Sequence, residues 1–422
     1  MVDSQILLIY NHPYASNAPT ILENVNAFKK HSKFFVQNMN LFEGFPSKLN
    51  DLRFKIIILH YSSFLFINEK FYKYLKSQSD SNIIAFFQDE HINCQERFRI
   101  INDFDIKTIY TQLDINSHHI YNENTNAKNI FHHLTGYVDD DLIALAEQME
   151  KSQSDREIDI GYRARPLPFY NGKGAQEKTE IGTKFVDFTK DKNLALNIKT
   201  GEEDRIYGNK WYAFIANCKA MLGVEAGVSI FDIDGKAEKA SKNFLLDNPN
   251  ATFDEVHRAV LQPFEDKVFY RTISPRIFEC AAFKTCMILY EGKYNGIIKP
   301  DVHYIPLKKD FSNIDEVLSK FNDIDKRMEL IDNAYKDLIV SKKYSYKKFI
   351  NEFDEFLEKM NFIDSIFDEK IELVSQLINK DKMIRKTRLR LKLLLIKIYL
   401  NIPFRNFIKA SLKSLFKKNK IN

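Results

Sequence analysis

"SPRIFECAAFKTCMILYEG", Ser274 to Gly292, carries a helix pattern straight into a strand pattern. Ala281 and Ala282 are small enough for a helix to pack closely. Cys286-Met287-Ile288-Leu289-Tyr290 reads as a short buried strand. Arg276 then falls near the helix start, with Glu279 one turn further along the same face. A charged pair at such a junction is either a satisfied salt bridge or half of a ligand site, and the surrounding chain has to decide.

Outward from this stretch the same alternation recurs. In the first 150 residues "QILLIYN" (5–11), "KFFVQNM" (33–39), "FKIIILHY" (54–61), "NIIAFFQDE" (82–90) and "IKTIYTQL" (106–113) read as buried strands. The amphipathic patterns 19–31, 68–78 and 94–104 fill the gaps as helices. Apolar strands alternating with helices mean a parallel sheet covered on both faces. Ligands of such sheets bind at the carboxyl ends of the strands. Those ends are here "NHPYASNAP" (11–19), "HYSS" (60–63) and "QDEH" (88–91).

A helix over 140–150 and a polar stretch, "EKSQSDREI" (150–158), precede a second round of alternation. Strands are expected over 158–165, 194–200 and 221–232, the last with a glycine-broken end, then at 286–290 and 302–310. Helices are expected over 177–191, 209–220 and 252–267. Helices over 314–323, 326–339 and 344–360 close the compact part. The expectation is an α/β chain with two Rossmann-like domains facing across a cleft, residues 1–150 and 151–362. A basic helical tail, 363–422, follows them.

Composition agrees with a soluble globular chain: 422 residues, 44% hydrophobic and 28% charged, with only 13 glycines and 11 prolines. Cys94, Cys218, Cys280 and Cys286 show no metal-ligand spacing, so a reduced compartment is expected. The start, "MVDSQILLIYNHPY", reads as a first strand and not as a signal peptide. No apolar run reaches the roughly 18 residues that would span a bilayer. A cytoplasmic protein, or one on the cytosolic face of a membrane, is expected.

The net charge of +5 is unevenly spread. Residues 380–422 carry +13 and the rest −8. A mildly acidic body is not the profile of a nucleic-acid-binding protein, and the tail stands apart as its own element. In the tail, Arg385, Arg388, Lys392, Lys397, Lys409 and Lys413 interleave with Leu, Ile and Phe on either side of Pro403. Basic amphipathic helices of this kind lie in a membrane interface, with their cations on anionic lipid. Docking on the acidic body is the competing reading.

"GYRARPLPFYNGKGAQEK" (161–178) gathers Arg163, Arg165, Lys173 and Lys178 at a strand-to-helix turn. That chemistry suits a diphosphate, and equally a solvated basic loop. Glu225 lies between Gly223 and Gly227, placed either to accept a sugar hydroxyl or to sit on the surface. Asp89, His60 and His12 end or follow strands of the first half, where a base could take a proton from a hydroxyl. The histidine pairs 118–119 and 132–133 do not chelate, because adjacent side chains diverge. No metal and no cofactor is expected. Trp211, the only tryptophan, reads as core.

With these residues laid out, the second half resembles the nucleotide-sugar-binding domain of GT-B glycosyltransferases. The likeness is to the group 1 (GT4-like) and spore-protein-like families of surface-polysaccharide biosynthesis. "RIFECAAFKTCMIL" (276–289) is similar to the pattern R-x-F-E-A-x-A-x-G-x-x-x-I, and "YSYKKFINEF" (344–353) to the helix that follows it. The resemblance implies that Glu279 binds the ribose or sugar of a donor nucleotide. Lys284 stands where the family usually has glycine. Arg271 stands where retaining members carry the first glutamate of an E-x7-E motif, which leaves the stereochemistry open.

The implied function is transfer from a nucleoside-diphosphate sugar to a glycan or lipid-linked acceptor in lipopolysaccharide or capsule synthesis. Arg163, Lys173, Lys178, Glu225, Arg271, Arg276 and Glu279 would bind the donor. Asp89, then His12 or His60, would serve as base, and the anionic inner-membrane surface would receive the tail. A nucleotide-sugar 2-epimerase of the same fold and a non-catalytic envelope scaffold are the alternatives.

Overall fold

The computed structural model describes residues 2–13, 19–46, 49–50, 52–361 and five further positions: 383, 387, 390, 391 and 394. The first domain is a six-stranded parallel sheet. Its strands are β1 (Val2–Tyr10), β2 (Val36–Asn40), β3 (Leu52–Leu59), β4 (Asn82–Phe86), β5 (Thr108–Thr111) and β6 (Asn129–His132), in the order β2-β1-β3-β4-β5-β6. Helices α1 (Pro19–His31), α2 (Glu69–Lys76), α3 (Cys94–Asp103) and α4 (His119–Asn124) connect them. The run Ile56–Leu59 is buried throughout, as a strand covered on both faces must be. Its register sets Ile6 beside Ile56 and Ile84 beside Thr108.

The second sheet contains β7 (Ile158–Arg163), β8 (Leu196–Lys199), β9 (Cys218–Gly223), β12 (Cys286–Tyr290) and β13 (Ile305–Leu307). Its order is β13-β12-β9-β7-β8, again parallel throughout. Helices α6 (Lys173–Phe188), α7 (Asn209–Ala216), α10 (Pro275–Ala282), α11 (Ile314–Asn322) and α12 (Ile324–Tyr335) pack around it. These are the two Rossmann-like domains anticipated from the alternation.

The stretch 221–232 does not form one strand. β9 ends at Gly223, and β10 (Ala226–Val228) pairs antiparallel with β11 (Tyr270–Thr272) as a separate hairpin. Between them lie α8 (Lys236–Asp247) and α9 (Phe253–Val256), the latter opened by a capping box of Thr252 and Glu255. The helix expected over 252–267 breaks into α9, a π-turn at 257–261 and a 3-10 turn at 262–264.

Two helices cross between the domains. α5 (Asp140–Gln148) follows the first sheet, yet Val138 and Ala146 share a core with Phe214, Ile277 and Phe278. α13 (Tyr346–Lys359) ends the second domain and packs back on the first. Its apolar face, Tyr346, Phe349, Ile350, Phe353 and Leu357, repeats at helical spacing and fills the groove beside α1. Phe353 meets Phe28 edge-to-face at 5.2 Å. The hairpin also reaches across: Tyr270 shares the first domain's core, and its hydroxyl accepts from the Glu90 N–H (3.0 Å) and donates to Gln112 Oε1 (3.0 Å).

Phe353→Ala should therefore destabilise the first domain by about 3–5 kcal/mol, the usual cost of emptying a buried phenylalanine site. Urea unfolding followed by tyrosine fluorescence would read that loss. An effect under about 1 kcal/mol would mean that α13 does not belong to this core.

Candidate functional site

The strand orders fix where a ligand can enter. In the first sheet the connections run to opposite sides from β1 and β3, and in the second from β7 and β9. The crevice at the carboxyl ends of such strands is the binding position of open α/β sheets.

At the first switch point the loops after β1 and β3 are tied together. The Asn11 N–H donates to Ser62 Oγ (3.0 Å). The backbone of His12 exchanges two hydrogen bonds with the Asn40 side chain (both 2.9 Å). His12 is buried. His60 is 1% exposed, with Nδ1 bonded to Ser62 Oγ (2.9 Å) and Nε2 enclosed without a partner. Burial pushes the His60 pKa down to about 3, helped by the nearby His133. The ring stays neutral and shut away from any acceptor. Asp89 is exposed in a left-handed turn (φ 49°) after β4. Tyr61 lies against His60 with ring centroids 3.8 Å apart.

At the second switch point most of the expected cations are already engaged. The Arg163 guanidinium donates to Tyr162 O (2.7 Å), Asn197 O (2.8 Å) and Asn197 Oδ1 (2.7 Å), and lies over Phe214. It braces β7 against β8 and is not aimed into the cleft. Arg271 pairs with Glu177, whose other oxygen holds Lys309 (2.7 Å). Glu225 accepts from the N–H groups of Lys293 (3.1 Å) and Tyr294 (2.8 Å), so it caps a turn.

The N-terminus of α6, expected to cradle phosphate, holds a carboxylate of the chain itself. The Lys173 N–H donates to Glu265 (3.1 Å) and the Gly174 N–H to Ser229 Oγ (2.7 Å). Gly172 (φ 78°) permits this, since a Cβ there would meet Ser229 Oγ at 2.6 Å and Glu265 Oε1 at 2.9 Å. The Lys173 side chain points to solvent.

Three groups remain directed at the cleft. Arg276 lies between the rings of Trp211 (5.0 Å) and Tyr162 (5.5 Å), with no carboxylate ion pair among the described residues. Lys178 donates to Gly227 O (3.0 Å). Burial, then Arg271 and Arg276, lower its pKa to about 8 against the opposing pull of Asp89. Glu279 is half-buried and accepts from the Trp211 indole N–H (2.9 Å). Burial raises its pKa, opposed by that hydrogen bond and by Arg276.

Trp211 thus serves as a donor to Glu279 in addition to packing. Glu23, on α1, is not among the residues singled out by sequence pattern. Its pKa is raised to about 7, first by burial and then by Glu279 of the second domain and by Asp139. The signal for it was positional: a carboxylate one turn into the helix that leaves the first strand's carboxyl end. Among the described residues no three His, Cys, Asp or Glu side chains converge on a metal position. His118, His119, His132 and His133 each turn to a different partner.

No family model matches the sequence, and no curated protein matches it. Among solved structures, Anabaena HepE in complex with UDP-glucose overlaps 84% of this chain and 99% of its own, at 10% identity and a TM-score of 0.46. A glycosyltransferase from Rickettsia africae overlaps 85% of this chain and 99% of its own, at 11% identity and 0.46. An alpha-glucosyltransferase in complex with UDP-glucose and DNA containing an abasic site overlaps the same shares, at 11% identity and 0.47.

The Glu23 environment has a consequence that needs no substrate. A carboxyl whose pKa is raised on folding, here from 4.5 to about 7, favours the folded state below 4.5. That contribution is lost as pH rises through 7. Glu23→Gln should therefore be about 2 kcal/mol more stable than the parent at pH 8 and nearly equal to it at pH 4.5. Urea unfolding at the two pH values reads the difference, and equal stability at pH 8 would deny the raised pKa.

Proposed function

We propose that the protein is a glycosyltransferase that moves a sugar from a nucleoside-diphosphate sugar to a glycan or lipid-linked acceptor of the bacterial envelope. The observation that carries this is the unneutralised Arg276, stacked between two rings and flanked by Lys178 and Glu279, at the carboxyl ends of the second sheet. A diphosphate is the ligand that fits: two cations for the phosphates, an indole and a phenol ring to stack on, and a carboxylate for ribose or sugar hydroxyls.

In this reading Lys178 and Arg276 stabilise the negative charge that grows on the departing diphosphate. Glu279, oriented by Trp211, holds the nucleotide or sugar hydroxyls. Asp89, within electrostatic reach of Lys178, closes the same pocket from the first domain. Arg163, Glu225 and Arg271 act by holding β7, the 293–294 turn and α6 in position. The acceptor enters from the first domain's rim.

The basic residues Arg385, Arg388, Lys392, Lys397, Lys409 and Lys413 lie outside the described residues. We assign them to the anionic inner leaflet on the strength of their sequence pattern, which suits a lipid-linked acceptor of lipopolysaccharide or capsule type. No helix among the described residues is long and apolar enough to cross a membrane.

A thermal-shift screen against UDP-, GDP-, dTDP- and CMP-sugars tests the donor site, because a ligand of the folded state raises Tm by mass action. One nucleotide class should stabilise the protein. Arg276→Ala and Lys178→Ala should weaken its binding by roughly 10- to 100-fold, the loss of one charge-assisted contact. Arg163→Ala should leave it within about threefold. No shift with any donor would favour the scaffold reading. Isomerised nucleotide sugar without transfer would favour the 2-epimerase.

A further inference from the structure

The base of the reaction is placed by asking which carboxylate at the first switch point is uncommitted. α1 rises directly from the loop after β1, and Glu23 stands one turn into it, half-exposed. Its carboxylate makes no hydrogen bond or ion pair among the described residues. The neighbouring acids are engaged: Glu279 accepts from Trp211, Asp139 caps α5 and meets Lys30 (3.8 Å), and Glu90 is enclosed in the core.

The groups that face Glu23 come from every element around it. They are Glu279 on α10, Asp139 ahead of α5, Tyr61 after β3, Tyr212 on α7 and Tyr346 on α13. No cation offsets Glu279 and Asp139 at Glu23; Lys30 meets Asp139–Asp141, and Arg276 lies between Trp211 and Tyr162. Asp89 is placed differently, within reach of the Lys178 ammonium. The two carboxylates therefore divide the cleft between a leaving-group side and an acceptor side.

We propose that Glu23 is the proton acceptor of the transfer, an inference that rests on the glycosyltransferase reading above. In the step, the acceptor hydroxyl oxygen forms a bond to the anomeric carbon. The bond from that carbon to the diphosphate oxygen breaks, and its electron pair leaves on the diphosphate held by Lys178 and Arg276. The hydroxyl proton passes to the Glu23 carboxylate. A carboxylate enclosed among acids and phenols and away from cations is a stronger base than an exposed one, which is what proton removal near neutral pH requires.

The test uses the full chain with UDP-glucose, GDP-mannose or dTDP-glucose, whichever raises its Tm, and with water as the acceptor. The rate of nucleoside-diphosphate release is followed from pH 5 to 9. The parent rate should climb with pH and level off above about 7. Glu23→Gln should lower it by about 10²–10⁴-fold and abolish the climb. Its donor-induced Tm shift, unchanged, reports that the fold and donor site are intact. Glu23→Asp should retain part of the rate with the climb displaced.

A Glu23→Gln protein that keeps both rate and profile overturns the assignment. If Asp89→Asn loses the climb instead, the base is Asp89. A parent that binds none of the donors overturns the transferase reading and this inference with it, a result distinct from a donor-binding enzyme that is indifferent to position 23.

Discussion

Glu90 holds the structure's two halves in register, its carboxylate by fixing the first domain's loops and its N–H by reaching the second domain. It is wholly buried, and a buried carboxylate survives only if its oxygens are met. Oε1 takes the Gln112 N–H (2.6 Å), and Oε2 takes the hydroxyls of Thr111 (2.5 Å) and Tyr121. Burial raises its pKa while Arg97 and these donors oppose the rise. The same residue's N–H bonds Tyr270 of the second domain, and Tyr270 returns to Gln112. One residue therefore locks the ends of β4 and β5 and sets where the second domain rests. Asp89, immediately before it, inherits its position at the cleft from that lock.

A second constraint is how the chain disposes of its own charge. The positive end of α6 would attract any anion, and Glu265, supported by His257 (3.1 Å), already occupies it. Arg271, in the place of a carboxylate in the family it resembles, is neutralised by Glu177. What is left with cationic character at the cleft is Arg276, held by ring faces, and Lys178, held by a carbonyl. Neither partner cancels the charge. The electrostatic focus of the cleft thus sits at the start of α10 and on the cleft-facing side of α6, where Lys178 is one to two turns past Gly172 and Gly174.

The strands legible in the sequence were those buried on both faces, where continuous apolar runs leave little choice. β6 carries only two apolar residues, Ile130 and Phe131, and is half-exposed at a sheet edge, so it has no continuous apolar run. The β10–β11 hairpin was missed because three-residue strands have almost no local signal, and tertiary contacts through Tyr270 hold them. That Arg276 and Glu279 stand on one helix was legible because the local pattern carries both. The engagement of Arg163 and of the Lys173 N–H was not legible, since their partners, Asn197 and Glu265, lie 34 and 92 residues away. Glu23 carried only a positional signal; its raised pKa comes from burial and from acids 116 and 256 residues away, Asp139 and Glu279.

The crossing helix α13 has a geometric consequence. It begins at Ser345, bonded to the first domain beside Val138, and runs down α1 to Glu358, which pairs with Lys33. Helices of a parallel sheet run from its carboxyl edge to its amino edge, so α13 ends on the side remote from the cleft. Its 14 residues span about 20 Å. The described chain therefore leaves the first domain at Asn361, on the side away from the cleft and a full helix length from it.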